Sequence, residues 1–126
     1  MIRIILEINK ELLNFIVVDK QVFYTDRKWK AWIRCLPQPE LFIKRVRMSR
    51  NRMPQFLADI FNMSPRDLNE YHNAKSDNEI ADIIERDGKS KGCKVMARKE
   101  QELDEETRKA FLTSEVVADT SLKGSA

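Results

Sequence analysis

The chain has little glycine, cysteine and histidine, and each shortage excludes a class of site. Its 3 glycines stand alone among 126 residues, so neither common glycine-rich phosphate loop is present. One histidine, His72, and two cysteines, Cys35 and Cys93, cannot supply a zinc cluster, because neither cysteine has a second ligand at motif spacing. We therefore expect no metal and no cofactor.

Long apolar runs are also missing. No run approaches the roughly 18 residues of a membrane-spanning helix, and Arg3 and Glu7 interrupt the apolar amino terminus. The sequence thus predicts no membrane association, and cysteines without a CxxC pair fit a cytoplasmic protein that keeps its thiols reduced. No nucleophile and base combine into a catalytic constellation, so we expect a binding protein and not an enzyme.

The net charge of +3 conceals blocks of opposite sign along the chain. Residues 20–53 carry ten basic and two acidic residues, whereas residues 54–88 carry three basic and eight acidic residues. Residues 89–99 add five basic residues and no acidic ones. Blocks of positive charge favour phosphate-bearing or acidic partners, and both tryptophans of the chain lie in the first basic block.

The apolar pattern predicts an α+β domain over residues 1–96 that begins with an antiparallel sheet of about four or five strands. β-Branched runs alternate with tight connections in this part of the chain. The runs and connections lie at residues 2–8, 9–11, 15–18, 19–20 and 22–25. Residues 41–48 fit either a strand or a helix, and we favour a strand.

Residues 28–36 alternate as a strand with one apolar and one cationic face. The apolar face comprises Trp29, Ala31, Ile33 and Cys35. The cationic face comprises Lys28, Lys30, Trp32 and Arg34.

About three helices are predicted after the sheet. The best-specified one begins with a capping box, in which Ser76 caps the helix and Glu79 stands three positions later, and it ends near Gly92. Its inward residues would be Ile80, Ile83 and Ile84. Residues 93–96 would add a short strand, and residues 97–126 are predicted to form a charged, flexible tail with an amphipathic turn or two near Leu103, Phe111 and Leu112.

Residues 54–73 resemble a helix-turn-helix motif. Ser64 would cap the second helix, Leu68 and Tyr71 would face inward, and Asn62 would take the turn position that glycine usually holds. Arg66, Asn69 and His72 on the outer side of the second helix would contact DNA. Proteins with this motif usually bind DNA as dimers. An ordinary helical hairpin packed on the sheet explains the same pattern.

The basic, aromatic block is the second candidate site. Exposed aromatic rings stack on bases while lysine and arginine neutralise phosphates, so this face suits single-stranded nucleic acid. The predicted contacts are Lys28, Lys30, Trp32, Arg34, Lys44, Arg45, Arg47, Arg50 and Arg52. The alternatives are that the tryptophans pack in the core while the cations are solvated, and that the patch binds a protein.

Two further groups of residues are weaker candidates for a functional site. The acidic residues Glu79, Asp82, Glu85 and Asp87 fit the solvated outer face of a helix better than a metal or acid–base site. The lysines around Cys93 could lower the pKa of its thiol, although no base or resolving cysteine stands near it in the sequence.

The sequence therefore predicts a small non-enzymatic accessory or regulatory protein that binds nucleic acid. Single-stranded and duplex ligands are both open, and a homodimer fits the helix-turn-helix interpretation. The alternative is a protein-interaction module, such as a viral or mobile-element accessory protein that binds or inhibits a host protein complex. The partner would then present an acidic surface to the basic block.

Overall fold

The computed structural model of the chain describes residues 1–25, 31–36 and 65–118, and in this part six antiparallel strands and three helices form a mixed α+β fold. The strands are β1 (Ile2–Ile8), β2 (Glu11–Val18), β3 (Gln21–Thr25), β4 (Ala31–Leu36), β5 (Lys94–Glu100) and β6 (Val116–Ala118). The helices are α1 (Pro65–Asn73), α2 (Asp77–Ser90) and α3 (Glu105–Thr113). The strand order in the sheet is β5-β1-β2-β3-β4-β6. The predicted fold class is confirmed.

Two tight turns set the register of the first three strands. Asn9 and Lys10 have φ angles of 51° and 66°, and Asp19 and Lys20 have φ angles of 45° and 65°. Two successive residues with positive φ form a two-residue hairpin turn whose twist matches the twist of the strands on either side. Asparagine and aspartate tolerate this conformation well. Both predicted connections are confirmed, and they place Ile2 opposite Val17 and Val17 opposite Val22.

The sheet buries apolar side chains on both faces. On the first face, Ile4, Leu6 and Phe15 belong to a core that includes residues of α1 and α2. On the second face, Phe23 and Trp32 pack with Phe111 of α3. Because β2 lies between β1 and β3 under both layers, its residues from Leu13 to Val18 are all buried.

Helix α2 follows its sequence signals closely. The Ser76 hydroxyl accepts a hydrogen bond from the Glu79 N–H at 3.2 Å, and Gly92 just beyond the helix has a φ of +90°. This left-handed conformation lets the N–H groups of Gly92 and Cys93 reach the carbonyls of Lys89 and Gly88. The predicted inward residues, Ile80, Ile83 and Ile84, are buried.

Residues 97–118 form part of the fold, and this corrects the prediction of a flexible tail that begins at residue 97. β5 pairs with β1 as far as Glu100, and β6 pairs with β4. Between them, the Asp104 carboxylate caps α3 by accepting from the Thr107 N–H at 2.7 Å, and this hydrogen bond lowers the pKa of Asp104. Residues 119–126 lie outside the described part.

The helix-turn-helix prediction is described only in its second half. The predicted second helix is α1, and its Tyr71 faces the core as expected. Residues 54–64, which would supply the first helix and the turn, lie outside the described residues, as do residues 41–48. Neither α1 nor the other two described helices is long and apolar enough to cross a membrane.

Candidate nucleic-acid interface

The predicted cationic face of β4 lies against α3. Alternation along the strand places Ile33 and Cys35 in the first core and Trp32 on the second face, as predicted. Trp32 is 0% exposed because the apolar cluster that includes Phe111 and Val117 covers it. The prediction that this ring stacks on bases is therefore corrected, since a base cannot reach the face of a fully buried indole.

Arg34 is held by the carboxyl end of α3. Its Nη2 donates to the carbonyl oxygens of Phe111 at 2.7 Å and Leu112 at 3.0 Å, and its guanidinium lies 5.3 Å from the centre of the Phe23 ring. The last turn of α3 has no basic residue of its own, and the final carbonyls of a helix need donors and attract positive charge. Arg34 thus caps α3, and its predicted role as a phosphate contact stays a prediction.

Arg3 is a second guanidinium on the same face of the sheet, although it was not predicted as a site residue. Its Nη2 lies 3.4 Å from Oδ1 of Asn14, and its guanidinium lies 5.6 Å from the centre of the Trp32 ring. The Nε of Arg3 is buried and has no hydrogen-bond partner. Among the described residues, no carboxylate forms an ion pair with it.

The register of β5 on β1 brings three cations to this face. Arg3 lies opposite Lys99, and Glu7 lies opposite Lys94. Residues Arg3 and Glu7 are four positions apart in one strand, so they and their partners share a face. Lys94 and Lys99 are five positions apart, and a regular strand would point them to opposite faces.

A β-bulge at Met96 makes this arrangement possible. The partners of Ile5 and Leu6 are Ala97 and Val95, so Met96 has no opposite residue and is 48% exposed. The additional residue shifts the alternation of β5 by one position. As a result, both lysines join Arg3 on the second face.

The arginine of the 89–99 block, Arg98, is neutralised by acidic residues of α2. Arg98 donates to Asp82 at 2.6 Å and lies 3.6 Å from Glu85. Its partner in β1 is Ile4, which places it on the first face of the sheet beside α2. The lysines of the block are all exposed, and we call them the β5 lysine edge. They are Lys89, Lys91, Lys94 and Lys99.

The acidic residues of α2 bind neighbouring groups of the protein. Glu79 accepts from the Lys75 N–H at 2.7 Å, and Asp82 and Glu85 face Arg98. Asp87 accepts from the Tyr71 hydroxyl at 2.8 Å. In the described part of the chain no group of side chains could hold a metal ion.

A shallow open groove runs between α1 and α2. Ala74 and Ile83 are among its lining residues, and acidic side chains surround them. Arg86 binds Glu70 with both terminal nitrogens, and this pairing raises the pKa of Arg86. These internal pairs leave the groove without the convergent free donors that a phosphate needs.

The two thiols are buried and unreactive in character. Cys35 donates from its sulfur to the Val22 carbonyl at 3.3 Å, and Cys93 is 7% exposed. Burial raises the pKa of the Cys93 thiol. The nearby lysines, which could have lowered this pKa, do not offset the burial, because removing the thiolate from water outweighs the attraction of exposed side chains.

Alkaline pH should destabilise the protein through Tyr71 and Cys93. Burial and the neighbouring Asp87 carboxylate raise the pKa of Tyr71 above its ordinary 10.0, and burial raises the pKa of Cys93 above its ordinary 9.0. The unfolded chain therefore loses these protons first, so the stabilisation is complete below about pH 9 and is lost as the pH rises further. We expect the urea midpoint to fall between pH 7.5 and pH 10.

The variant Tyr71→Phe is the control for this pH effect. It removes the hydrogen bond to Asp87, which costs about 1 kcal/mol at pH 7.5. It also removes one titrating group, so its urea midpoint should fall less between the two pH values. An unchanged or rising midpoint in the wild-type protein would contradict the proposed pH dependence.

The other predicted contacts are described only in part. Asn69 and His72 on α1 are exposed. The backbone of Arg66 lies in α1, and its side chain is outside the described part. Outside it too are Lys28, Lys30, Lys44, Arg45, Arg47, Arg50 and Arg52.

Sequence reasoning missed Arg3 and the β5 lysine edge as one surface. Alternation in β1 does place Arg3 away from Ile2 and Ile4, and the charge count does mark residues 89–99. The pairing of β5 with β1 and the bulge at Met96 join the two signals, and neither leaves a mark in the local pattern.

Comparison with protein-family models, with curated proteins and with solved structures finds no match for this chain. The interface is therefore assigned from the positions and charges of its own side chains.

Proposed function

We propose that the protein is a small non-enzymatic accessory or regulatory protein that binds nucleic acid along the β5 lysine edge. The observation that carries this proposal is the bulge at Met96, which turns Lys94 and Lys99 to the face that holds Arg3. No carboxylate in the described residues forms an ion pair with any of these three side chains. Glu7 lies opposite Lys94, and the group of four keeps a net positive charge. Unpaired cations on one surface favour a polyanionic partner.

The spacing of the cations suits a phosphate backbone. Lys94 and Lys99 lie opposite Glu7 and Arg3 of β1. These two β1 residues are four positions apart, which corresponds to about 14 Å along the strand. Phosphates of one DNA strand follow each other at about 3.4 Å along the helix axis, so the two lysines span several of them. Lys89 and Lys91 extend the positive surface toward the end of α2.

The basic residues outside the described part remain candidate contacts in this proposal. Base stacking on Trp32 is left out, because the ring is buried. Without an exposed aromatic contact among the described residues, phosphate binding carries the proposed affinity, and such binding discriminates little between sequences.

Charge reversal at the edge should abolish most of the binding. We expect Lys94→Glu/Lys99→Glu to raise the Kd for labelled oligonucleotides at least tenfold at low salt. The slope of log K against log salt should lose about 1.8 for duplex and about 1.4 for single strands, as expected for two phosphate contacts. Fluorescence anisotropy at several salt concentrations measures both quantities.

The matched control is Lys75→Glu/Lys109→Glu, which changes the net charge equally at exposed lysines of other elements. It should weaken binding much less. Equal weakening by both pairs would show that only total charge matters and would refute the edge as the interface. Absence of wild-type binding at low salt would refute nucleic-acid binding altogether.

A protein partner is the second candidate. Met96 and Val116 are 48% and 44% exposed on β5 and β6, the two outer strands of the described sheet. Exposed apolar groups on edge strands favour contact with another protein. Binding through them should be much less sensitive to salt than binding through the lysines.

A further inference from the structure

Arg3 differs from the other described arginines in having almost no partners. Arg34, Arg86, Arg98 and Arg108 each donate at least two hydrogen bonds to oxygens of the protein. Arg3 makes one long contact, 3.4 Å from Nη2 to Oδ1 of Asn14. A guanidinium has five N–H donors in a planar fork that matches a phosphate or a carboxylate, so most of its capacity is unused.

The surroundings of Arg3 hold its guanidinium in place. Trp32 lies under it at 5.6 Å, and the Trp32 ring is itself fixed by complete burial. Asn14 is 3% exposed, so the contact with it is shielded from solvent. A guanidinium stacked on an immobile ring loses less freedom when it binds a planar anion than a free side chain does.

The neighbour of Arg3 on β5 makes an anion more favourable still. Lys99 lies directly opposite Arg3, and like charges opposite each other destabilise a pair of strands. One bound anion between the two side chains would offset this repulsion.

We propose that Arg3 and Lys99 form a phosphate subsite on the second face of the sheet, beside the Trp32 ring. This inference rests on the proposed function and extends it, since it assigns one backbone phosphate of the bound nucleic acid to a fixed arginine. The ligand is recognised as a phosphoryl group, which the backbone or a free phosphate compound can supply.

Trp32 provides a direct signal for this subsite. The sequence has two tryptophans, so Trp29→Phe leaves Trp32 as the single tryptophan, whose emission is selected by excitation at the red edge of the indole absorption. Titration of this protein with inorganic phosphate should change the Trp32 emission saturably, because an anion bound to the guanidinium changes the electric field at the neighbouring ring. Sodium chloride at equal ionic strength should produce no such change, and Arg3→Gln should remove the phosphate response.

The second readout is the salt slope of oligonucleotide binding. Arg3→Gln should weaken binding about tenfold at low salt and reduce the slope by about 0.7 for a single strand, or about 0.9 for duplex. Arg3→Lys keeps the charge, so it should retain the slope while losing the phosphate response. Arg108→Gln is the control, because it removes the same charge from a guanidinium that already pairs with the Asp19 carboxylate. Far-UV circular dichroism establishes whether each variant is folded. If Arg3→Gln does not fold, Lys99→Gln at an exposed position tests the same subsite.

The outcomes separate this inference from the proposed function. Oligonucleotide binding that depends on Lys94 but not on Arg3 or Lys99, with no phosphate response, would overturn the subsite and leave the function standing. A saturable phosphate response that needs Arg3, without oligonucleotide binding, would support the subsite for a free phosphate compound and refute the function. The inference is supported if Arg3→Gln loses the phosphate response and binds oligonucleotides more weakly, while Arg108→Gln changes neither property.

Discussion

Phe111→Ala should lower the free energy of unfolding by about 3–5 kcal/mol. Phe111 is 0% exposed, and its ring meets Phe23 edge to face at a centroid distance of 4.9 Å. The substitution removes apolar contact, leaves a cavity over the second face of the sheet, and loses an aromatic pair. Urea denaturation followed by circular dichroism measures the change in free energy.

Val116→Ala is the matched control for this prediction. Val116 lies in the neighbouring strand β6 and is 44% exposed, so its truncation should cost less than about 0.5 kcal/mol. Equal, small effects of both variants would show that α3 does not hold the second face in solution. The carboxyl-terminal segment would then be the flexible tail that its charge suggests.

Arg34→Met should cost about 2–3 kcal/mol of unfolding free energy. The side chain keeps much of its volume, but the carbonyls of Phe111 and Leu112 lose their charged donor at the end of α3. Half-buried carbonyls without a donor are unfavourable, and α3 also loses the positive charge at its negative end. The same denaturation measurement tests this expectation.

Arg86→Met is the control with the same change of side chain. Arg86 has more hydrogen bonds than Arg34, to Glu70 and Asp87, but its side chain is 57% exposed. Exposed ion pairs contribute little, so this variant should cost less than about 1 kcal/mol. A larger effect at Arg86 than at Arg34 would contradict the proposed role of Arg34 as the cap of α3.

Local signals were sufficient for the amino-terminal hairpins and for α2. Asn9 and Asp19 stand at two-residue turns that require positive φ angles, and flanking β-branched residues favour strands. Ser76 and Gly92 mark the two ends of α2 through hydrogen bonds made within a few residues. Such features depend on neighbours in the chain, which is why the pattern of the sequence predicts them.

The carboxyl-terminal segment shows where this reasoning fails. Residues 97–118 are rich in charge, and that composition is typical of a tail. Their order comes from partners far away in the sequence: β1 for β5, β4 for β6, and Phe23 for Phe111. One buried phenylalanine and two paired strands outweigh the polar residues around them.

The interpretation of Trp32 failed for a related reason. Alternation correctly assigned Trp32 and Arg34 to the face opposite Ile33, but it cannot say what covers a face. Because α3 lies on that face, Trp32 is part of a core, as the alternative interpretation of the basic, aromatic block expected. Arg34 caps the end of α3. The unpaired cations lie instead toward the opposite edge of the sheet, at Arg3, Lys94 and Lys99.

The pattern of residues is sufficient to predict the α+β class, the two tight turns, the side of β4 that faces the first core, and the blocks of charge. These properties follow from the period of two along a strand, from local capping and from composition. Which cations are neutralised and which are available is set by contacts between distant parts of the chain. That depends on the register of β5 and the bulge at Met96, because the partners of a charge are set by strands distant in sequence.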